Sequence, residues 1–159
     1  MKTLLSTFIL LLLLSSCKKE IENVYAIDPV YVSQSGQKNN LKSDLQFVSI
    51  AYSDLFGQQI SVQELNALLA GYNSVGDKAL VIDLIIRNLL VKPGIIKSTQ
   101  QDMQNDPDAF IDATFERFFV REANEMERWY FGNSIKANSQ LLPEDIYYAL
   151  MSAEEYRHY

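Results

Sequence analysis

Residues 106–119, Asp-Pro-Asp-Ala-Phe-Ile-Asp-Ala-Thr-Phe-Glu-Arg-Phe-Phe, decide the fold class. Asp106 can cap a helix N-terminus, Pro107 suits the first helical position, and Asp108 places a negative charge near the positive helix end. The apolar residues that follow recur at steps of three and four, as one face of a helix requires. The pattern therefore predicts an amphipathic helix that buries Phe110, Ile111, Phe115, Phe118 and Phe119.

Capping signals and a proline mark further helices on both sides of this stretch. Asn124 followed by Glu127 is typical of a capping box, and Pro143 is typical of a first helical turn. Ser61 and Glu64 form the same capping pattern nearer the N-terminus. The helix after Asn124 is predicted to have an apolar stripe, made of Met126, Trp129, Tyr130 and Ile135.

Residues 79–91 are the most apolar segment that follows the N-terminal region. We interpret them as a central buried helix, because the run is long for a strand. A strand is the alternative, since the segment is rich in the β-branched residues that favour sheets. Asp83 and Arg87 lie four residues apart and can pair on a helix surface. Residues 95–105 are predicted to be a polar connector.

Two parts of the chain align with each other at an offset of 63 residues, namely 47–65 and 110–128. Phe47 aligns with Phe110 and Ser61 with Asn124, so apolar positions and caps both coincide. The sequence thus predicts a mainly α domain of about six helices, in two copies of a three-helix unit at about 41–92 and 107–157. Chance similarity between amphipathic helices is the alternative.

Residues 1–17 contain the parts of a secretory signal in order. Lys2 supplies a positive start, residues 4–14 are apolar, and small residues follow. The apolar run is too short for a permanent membrane span, which needs about 20 residues. Leu14-Ser15-Ser16-Cys17 resembles the lipobox of bacterial lipoproteins, including those of Bacteroidota. The alternatives are an ordinary signal peptide with an incidental cysteine and an uncleaved buried helix.

The lipobox resemblance implies cleavage before Cys17 and a lipid anchor on that residue, with a diacylglyceryl group on the sulfur and an acyl chain such as palmitate on the new amine. Several acyl chains on one residue hold a protein firmly on a membrane. Lys18, and not Asp, follows Cys17, which in such lipoproteins implies the outer membrane, with the leaflet left open. The predicted organisation is a signal peptide at 1–16, a lipidated cysteine and flexible polar tether at 17–40, and one helical domain at 41–159.

Composition excludes several classes of function. The 159 residues include 14 Lys and Arg against 20 Asp and Glu, and this acidic balance disfavours nucleic acid as a partner. Cys17 is the single cysteine and His158 the single histidine, so we predict no metal site and no cofactor. Glu122, Glu125 and Glu127 are candidates for the acid and base pair of glycan cleavage. We interpret them as a charged helix surface and predict no catalytic residues.

The second copy carries a further sequence pattern. Phe115, Phe118 and Phe119-Val120-Arg121 are followed by Trp129 and then by an ending at Ser152–Tyr156. This order resembles a helical repeat of phycobilisome linkers and related bacterial surface proteins, although Val120 stands where that pattern has glycine. The resemblance implies an assembly or binding module without catalytic residues.

Aromatic residues concentrate in the C-terminal half, where eleven of the eighteen lie within residues 110–159. Because aromatic side chains anchor interfaces, they form a candidate partner-binding surface. The alternative is that they fill the core between helices. The sequence therefore predicts a membrane-anchored, non-catalytic adaptor or scaffold for an envelope protein, and the alternative is a glycan-binding lipoprotein with or without hydrolase activity. The candidate surface residues are Trp129, Tyr130, Tyr147, Tyr148 and Tyr156.

Overall fold

The computed structural model describes residues 40–158. The predicted signal peptide, Cys17 and nearly all of the predicted tether lie outside the described residues. Residues 40–158 form seven α-helices and one 3-10 helix and contain no strand, so the predicted mainly α fold is confirmed. The helices are α1 Asp44–Phe56, α2 Val62–Ser74, α3 Lys78–Leu90, α4 Gln100–Asn105, α5 Pro107–Phe119, α6 Glu125–Ala137 and α7 Pro143–Met151, followed by the 3-10 helix Glu154–Arg157.

Helix α4 is the element that the sequence analysis missed, because it lies in the predicted polar connector. Thr99 accepts a hydrogen bond from the Asp102 backbone N–H, and the Asp102 carboxylate accepts from that of Thr99. This reciprocal capping box supports a helix of only 6 residues. Met103 is its one buried side chain, so the segment has no repeating apolar pattern that would predict a helix.

The other predicted helix starts are confirmed by their caps. Ser61 accepts from the Glu64 backbone N–H, Asp106 from that of Ala109, and Asn124 from that of Glu127. Residues 79–91 form helix α3 and not a strand. The apolar side of α3 packs inward, and the Asp83 carboxylate accepts a hydrogen bond from Arg87 Nε at 2.9 Å on its outer side.

The helix bounds recur along the chain at the offset found in the sequence. Helices α1 and α5, Asp44–Phe56 and Pro107–Phe119, are both 13 residues long and begin 63 positions apart. Helices α2 and α6, Val62–Ser74 and Glu125–Ala137, also have 13 residues each and the same offset. Helix α7 begins 65 positions after α3, consistent with an insertion of two residues. We call α1–α3 the first unit and α5–α7 the second unit.

Corresponding residues of the two units meet at their junction. Arg117 donates to the backbone carbonyl of Asp54, which holds the matching position 63 residues earlier. Tyr148 donates to the carboxylate of Asp83 at 2.5 Å, and these two positions correspond at the offset of 65. Two pairs of corresponding residues therefore meet where the units join, and α3 and α7 lie against each other.

Residues near the start and the end of the described range are hydrogen-bonded to each other. Leu41 and His158 form an isolated antiparallel β-bridge, and the Lys42 backbone N–H donates to the carbonyl of Arg157 at 2.8 Å. The Lys42 ammonium is buried, donates to the Tyr156 carbonyl at 2.6 Å and lies over the Tyr156 ring. The residues just before α1 are thereby fixed to the 3-10 helix.

Candidate partner-binding surface

Helix α6 faces the core with a different side from the one that its sequence predicts. Gly132 and Ile135 are buried, and the ring of Phe131 packs edge-on against that of Phe115 on α5 with centroids 5.7 Å apart. Gly132 lies close to Ile111 of α5, because a Cβ there would be 3.9 Å from the Ile111 methyl group. The small residue and its two apolar neighbours define the inward side of α6.

Three of the four residues in the predicted apolar stripe of α6 therefore point outward. Only Ile135 of that set is buried. Met126 is 70% exposed, Trp129 64% and Tyr130 59%. We call these three outward side chains, Met126, Trp129 and Tyr130, the α6 face. Met126 and Trp129 line a shallow apolar depression together with Glu125.

The predicted candidate surface is divided by the structure. Trp129 and Tyr130 lie together on the α6 face, as a partner-binding surface requires. Tyr147 and Tyr156 are buried and cannot belong to it, because their rings pack around Phe118 at centroid distances of 5.2 and 6.0 Å. Met126 joins the surface in their place.

Tyr148 is half-buried at the junction of the two units. Its hydroxyl accepts from Arg87 at 2.6 Å while it donates to Asp83, and the Arg87 guanidinium lies over its ring. Hydrogen bonds from Arg87 and then Tyr148 hold the pKa of the Asp83 carboxyl below its usual range. Tyr148 thus bridges α3 and α7 and is separate from the α6 face.

Buried Tyr156 has a structural role. Its hydroxyl donates to the Asp54 carboxylate at 2.7 Å, joining the 3-10 helix to α1. Burial and then the nearby Asp54 charge raise the pKa of Tyr156 well above its usual value, so the phenol stays protonated and keeps donating.

An arginine on the loop after α5 holds two carboxylates. Arg121 donates to both oxygens of Glu127 at 2.7 and 2.8 Å, and to both oxygens of Glu155 at 2.6 and 2.8 Å. The Arg121 hydrogen bonds hold the pKa of Glu127 below its usual range. Glu127 is ionised and accepts two hydrogen bonds from Arg121, so it has no proton to give. It is therefore unsuitable as a general acid for glycan cleavage.

The charged groups around another cavity are also already paired. This cavity, of about 420 Å³, lies at the end of α3 beside Lys92, Lys97 and Glu144. Lys97 pairs with Glu144, and Lys92 pairs with Glu64 of α2. Within residues 40–158, no group of three or more His, Cys, Asp or Glu could hold a metal ion. The same range contains no helix long and apolar enough to cross a membrane.

Comparison with known proteins adds no relative to this picture. No protein-family model, no curated protein and no solved structure matches the chain. The resemblances to the lipobox and to the phycobilisome-linker repeat therefore stay predictions. The α6 face is defined by its exposed side chains alone.

Proposed function

We propose that this protein is a lipid-anchored, non-catalytic adaptor that binds an envelope protein through the α6 face. The observation that carries the proposal is the difference between equivalent helices. Where α6 exposes Met126, Trp129 and Tyr130, α2 exposes the corresponding Gln63, Asn66 and Ala67. The fold accepts polar and small residues at these outward positions, so folding does not account for the aromatic set on α6. Exposed aromatic side chains are the usual anchors of protein interfaces.

The proposed anchor is a lipid on Cys17, at the outer membrane. It rests on the lipobox-like sequence and on charge. The chain is acidic, with a formal net charge of −6, and acidic domains are repelled by anionic headgroups. Attachment through acyl chains needs no attraction between the domain and the lipid surface.

The absence of catalysis is part of the same proposal. Of the three glutamates considered for acid and base chemistry, Glu127 is held ionised by Arg121. Glu122 lies 3.8 Å from Arg128, and its side chain is 89% exposed to water. Glu127 is therefore unsuited to protonate a leaving group, and Glu122 lies on an open surface.

The test is capture of the partner from intact membranes by cross-linking, followed by mass spectrometry. The full chain is compared with the double variant Trp129→Asn and Tyr130→Ala, which places the residues of α2 on α6. We expect one reproducible protein partner that the double variant loses at least about tenfold, the scale of a binding hot spot. Both substitutions change exposed side chains, so the variant should fold as the parent does.

Two controls make the result specific. Val62→Gln removes an exposed apolar side chain, 75% exposed, from the equivalent helix of the first unit and should leave capture unchanged. Cys17→Ser should abolish incorporation of radiolabelled palmitate and release the chain from membranes. Equal capture by the parent and the double variant would contradict the proposed surface, and retained lipid label on Cys17→Ser would contradict the anchor.

Glycan binding is the second candidate, favoured by the exposure of Trp129 and Tyr130, whose rings could stack on a sugar face. Glycan binding becomes the better hypothesis if the cross-linking experiment on membranes yields no protein partner. The full chain would then be applied to a glycan array, where a signal lost in the double variant would establish it.

A further inference from the structure

The flank of the α6 face carries a cluster of acidic side chains around one arginine. Arg128 Nε donates to the Asp112 carboxylate at 2.7 Å, and Glu122 lies 3.8 Å from the same guanidinium. Asp112, and then Glu122 and Asp108, raise the pKa of Arg128. Glu125 lines the shallow depression together with Met126 and Trp129. Three carboxylates thus lie around Arg128, and a fourth, that of Glu125, lies beside Met126 and Trp129.

These acids occur in the second unit alone, as the aromatic side chains of the α6 face do. The residues of the first unit at the same four positions are all uncharged. The second unit therefore differs from the first in two independent ways on the same side of the molecule. Apolar residues replace polar or small ones, and acidic residues replace uncharged ones. The equivalent positions are Leu45, Ser49, Gln59 and Val62, which correspond to Asp108, Asp112, Glu122 and Glu125.

We propose that the occupant of the α6 face is a cationic amphipathic segment of the envelope partner, with an apolar side chain against Trp129 and Met126 and lysine or arginine beside the acidic flank. This inference rests on the proposed function and adds the chemistry of the partner. Opposite charges around an apolar centre guide association and fix the register of the two surfaces.

Charge argues against the two other occupants of such a face. An anionic lipid surface would meet the four carboxylates with like charge. A second copy of this chain, placed face to face, would oppose the same carboxylates to each other. The exposed cation of the outward side of α6 is Lys136, which lies near the C-terminal end of that helix, away from Glu122 and Glu125. A cationic partner is the occupant that this distribution fits.

The experiment uses two kinds of cross-linking on the full chain in intact membranes. Asn133→benzoylphenylalanine places a photo-cross-linker on the exposed side of α6, and it captures whatever lies there regardless of charge. A carbodiimide couples carboxylates to lysine amines in direct contact. We expect photo-capture of a partner, and coupling of Glu122 or Glu125 to lysines of that partner.

Neutralised variants and salt test the charge itself. Glu122→Gln with Glu125→Gln should reduce photo-capture at least about fivefold, and raising the salt from about 0.05 to about 0.5 M should have a similar effect on the parent. Glu154→Gln, which removes an exposed acid on the 3-10 helix, is the matched control and should change nothing. Glu122→Gln and Glu125→Gln both keep the shape of the side chain, so the circular dichroism of this glutamine variant should match that of the parent.

The possible outcomes separate this inference from the proposed function. One outcome is a partner whose capture depends on Trp129 but not on salt or on the glutamine substitutions, and which carbodiimide does not couple. This outcome would be consistent with the adaptor proposal and would contradict the cationic segment. Photo-capture of lipid, or of a second copy of this chain, would also overturn it. Absence of any Trp129-dependent partner would contradict both.

Discussion

The two units show what a helical scaffold requires and what it leaves open. Their first two helices have the same lengths, and the inward positions of the first helix hold the same kind of residue, as in Phe47 and Phe110 or Phe56 and Phe119. The outward positions differ completely, with Asn66 in the first unit where the second exposes Trp129. Burial constrains the inward set because each side chain must fit a dense interior, whereas solvent accepts almost any residue. The composition of the outward faces therefore carries information about partners, not about folding.

The units also differ at the residue that ends their first helix. Gly57 and Val120 both have a left-handed backbone, with φ of 65° and 55°. Glycine adopts this conformation without steric cost, whereas a β-branched side chain is strained in it. The first unit therefore has the favourable residue at this position, and the second unit does not.

The largest effect is expected when the first unit receives the capping residue of the second. Gly57→Val adds left-handed strain and a clash, because a Cβ at that position would lie 2.8 Å from the Ile96 side chain. Together, after the entropy gained by removing a glycine is subtracted, these should lower the free energy of unfolding by about 1–3 kcal/mol, measured by urea denaturation. Gly71→Val, a helical position with open space, is the control and should stay within about 0.5 kcal/mol. A loss below about 1 kcal/mol at Gly57 would show that the cap is not constrained.

An intermediate effect is expected when the carboxylate clamp of the second unit is removed. The first unit has Gln58 at the position of Arg121, so Arg121→Gln makes the units alike. Losing the partly exposed hydrogen bonds to Glu127 and Glu155 should cost about 1–2 kcal/mol at neutral pH. Lys136→Gln, at an exposed position of α6, should cost nothing measurable.

The same clamp should make stability depend on pH. Because Arg121 lowers the pKa of Glu127 below its ordinary value of 4.5, the stabilisation is complete above that pH and is lost as the pH falls through the lowered pKa. The parent should therefore lose its advantage over Arg121→Gln as the pH is reduced from about 5 to about 2.5, in a series of urea titrations. A difference between the two proteins that is constant over this range would rule out the ion pair as its source.

The smallest effect, with the opposite sign, is expected when the second unit receives the glycine of the first. Val120→Gly relieves the left-handed strain, and Val120 is 83% exposed, so little apolar burial is lost. The free energy of unfolding should rise by about 0.5–1 kcal/mol, after the entropy of the added glycine is subtracted. Val91→Gly changes an equally exposed valine whose backbone is right-handed, and it should not stabilise the protein.

Much of the fold was predictable because its signals are local. Side-chain caps at Ser61, Asp106 and Asn124 located three helix starts, and apolar periodicity identified the buried sides of α3 and α5. The short helix α4 was missed because a single buried methionine produces no period, although the capping pair Thr99 and Asp102 was readable in the sequence. A capping box is therefore the more sensitive signal for a helix of one or two turns.

The candidate surface was only half predictable. Trp129 and Tyr130 are exposed, as the predicted surface requires, whereas Met126 is an exposed neighbour that the prediction of this surface did not include. Tyr147 and Tyr156 were placed on the surface and are buried. Their positions depend on how α7 and the 3-10 helix pack against α5, which no local pattern encodes. The spacing of Phe131 and Ile135, with Gly132 between them, was the available sign of the inward side.

The junction of Lys42 with the 3-10 helix has a mechanical consequence. Any pull that reaches the domain through the residues before Leu41 acts first on the Lys42 backbone bond to Arg157 and on the ammonium bond to Tyr156. Tyr156 passes that load to α1 through Asp54, so the 3-10 helix and α1 share it. Tension at this end of the domain is thus spread over contacts that join distant parts of the chain, and α1 is shielded from being unwound one turn at a time.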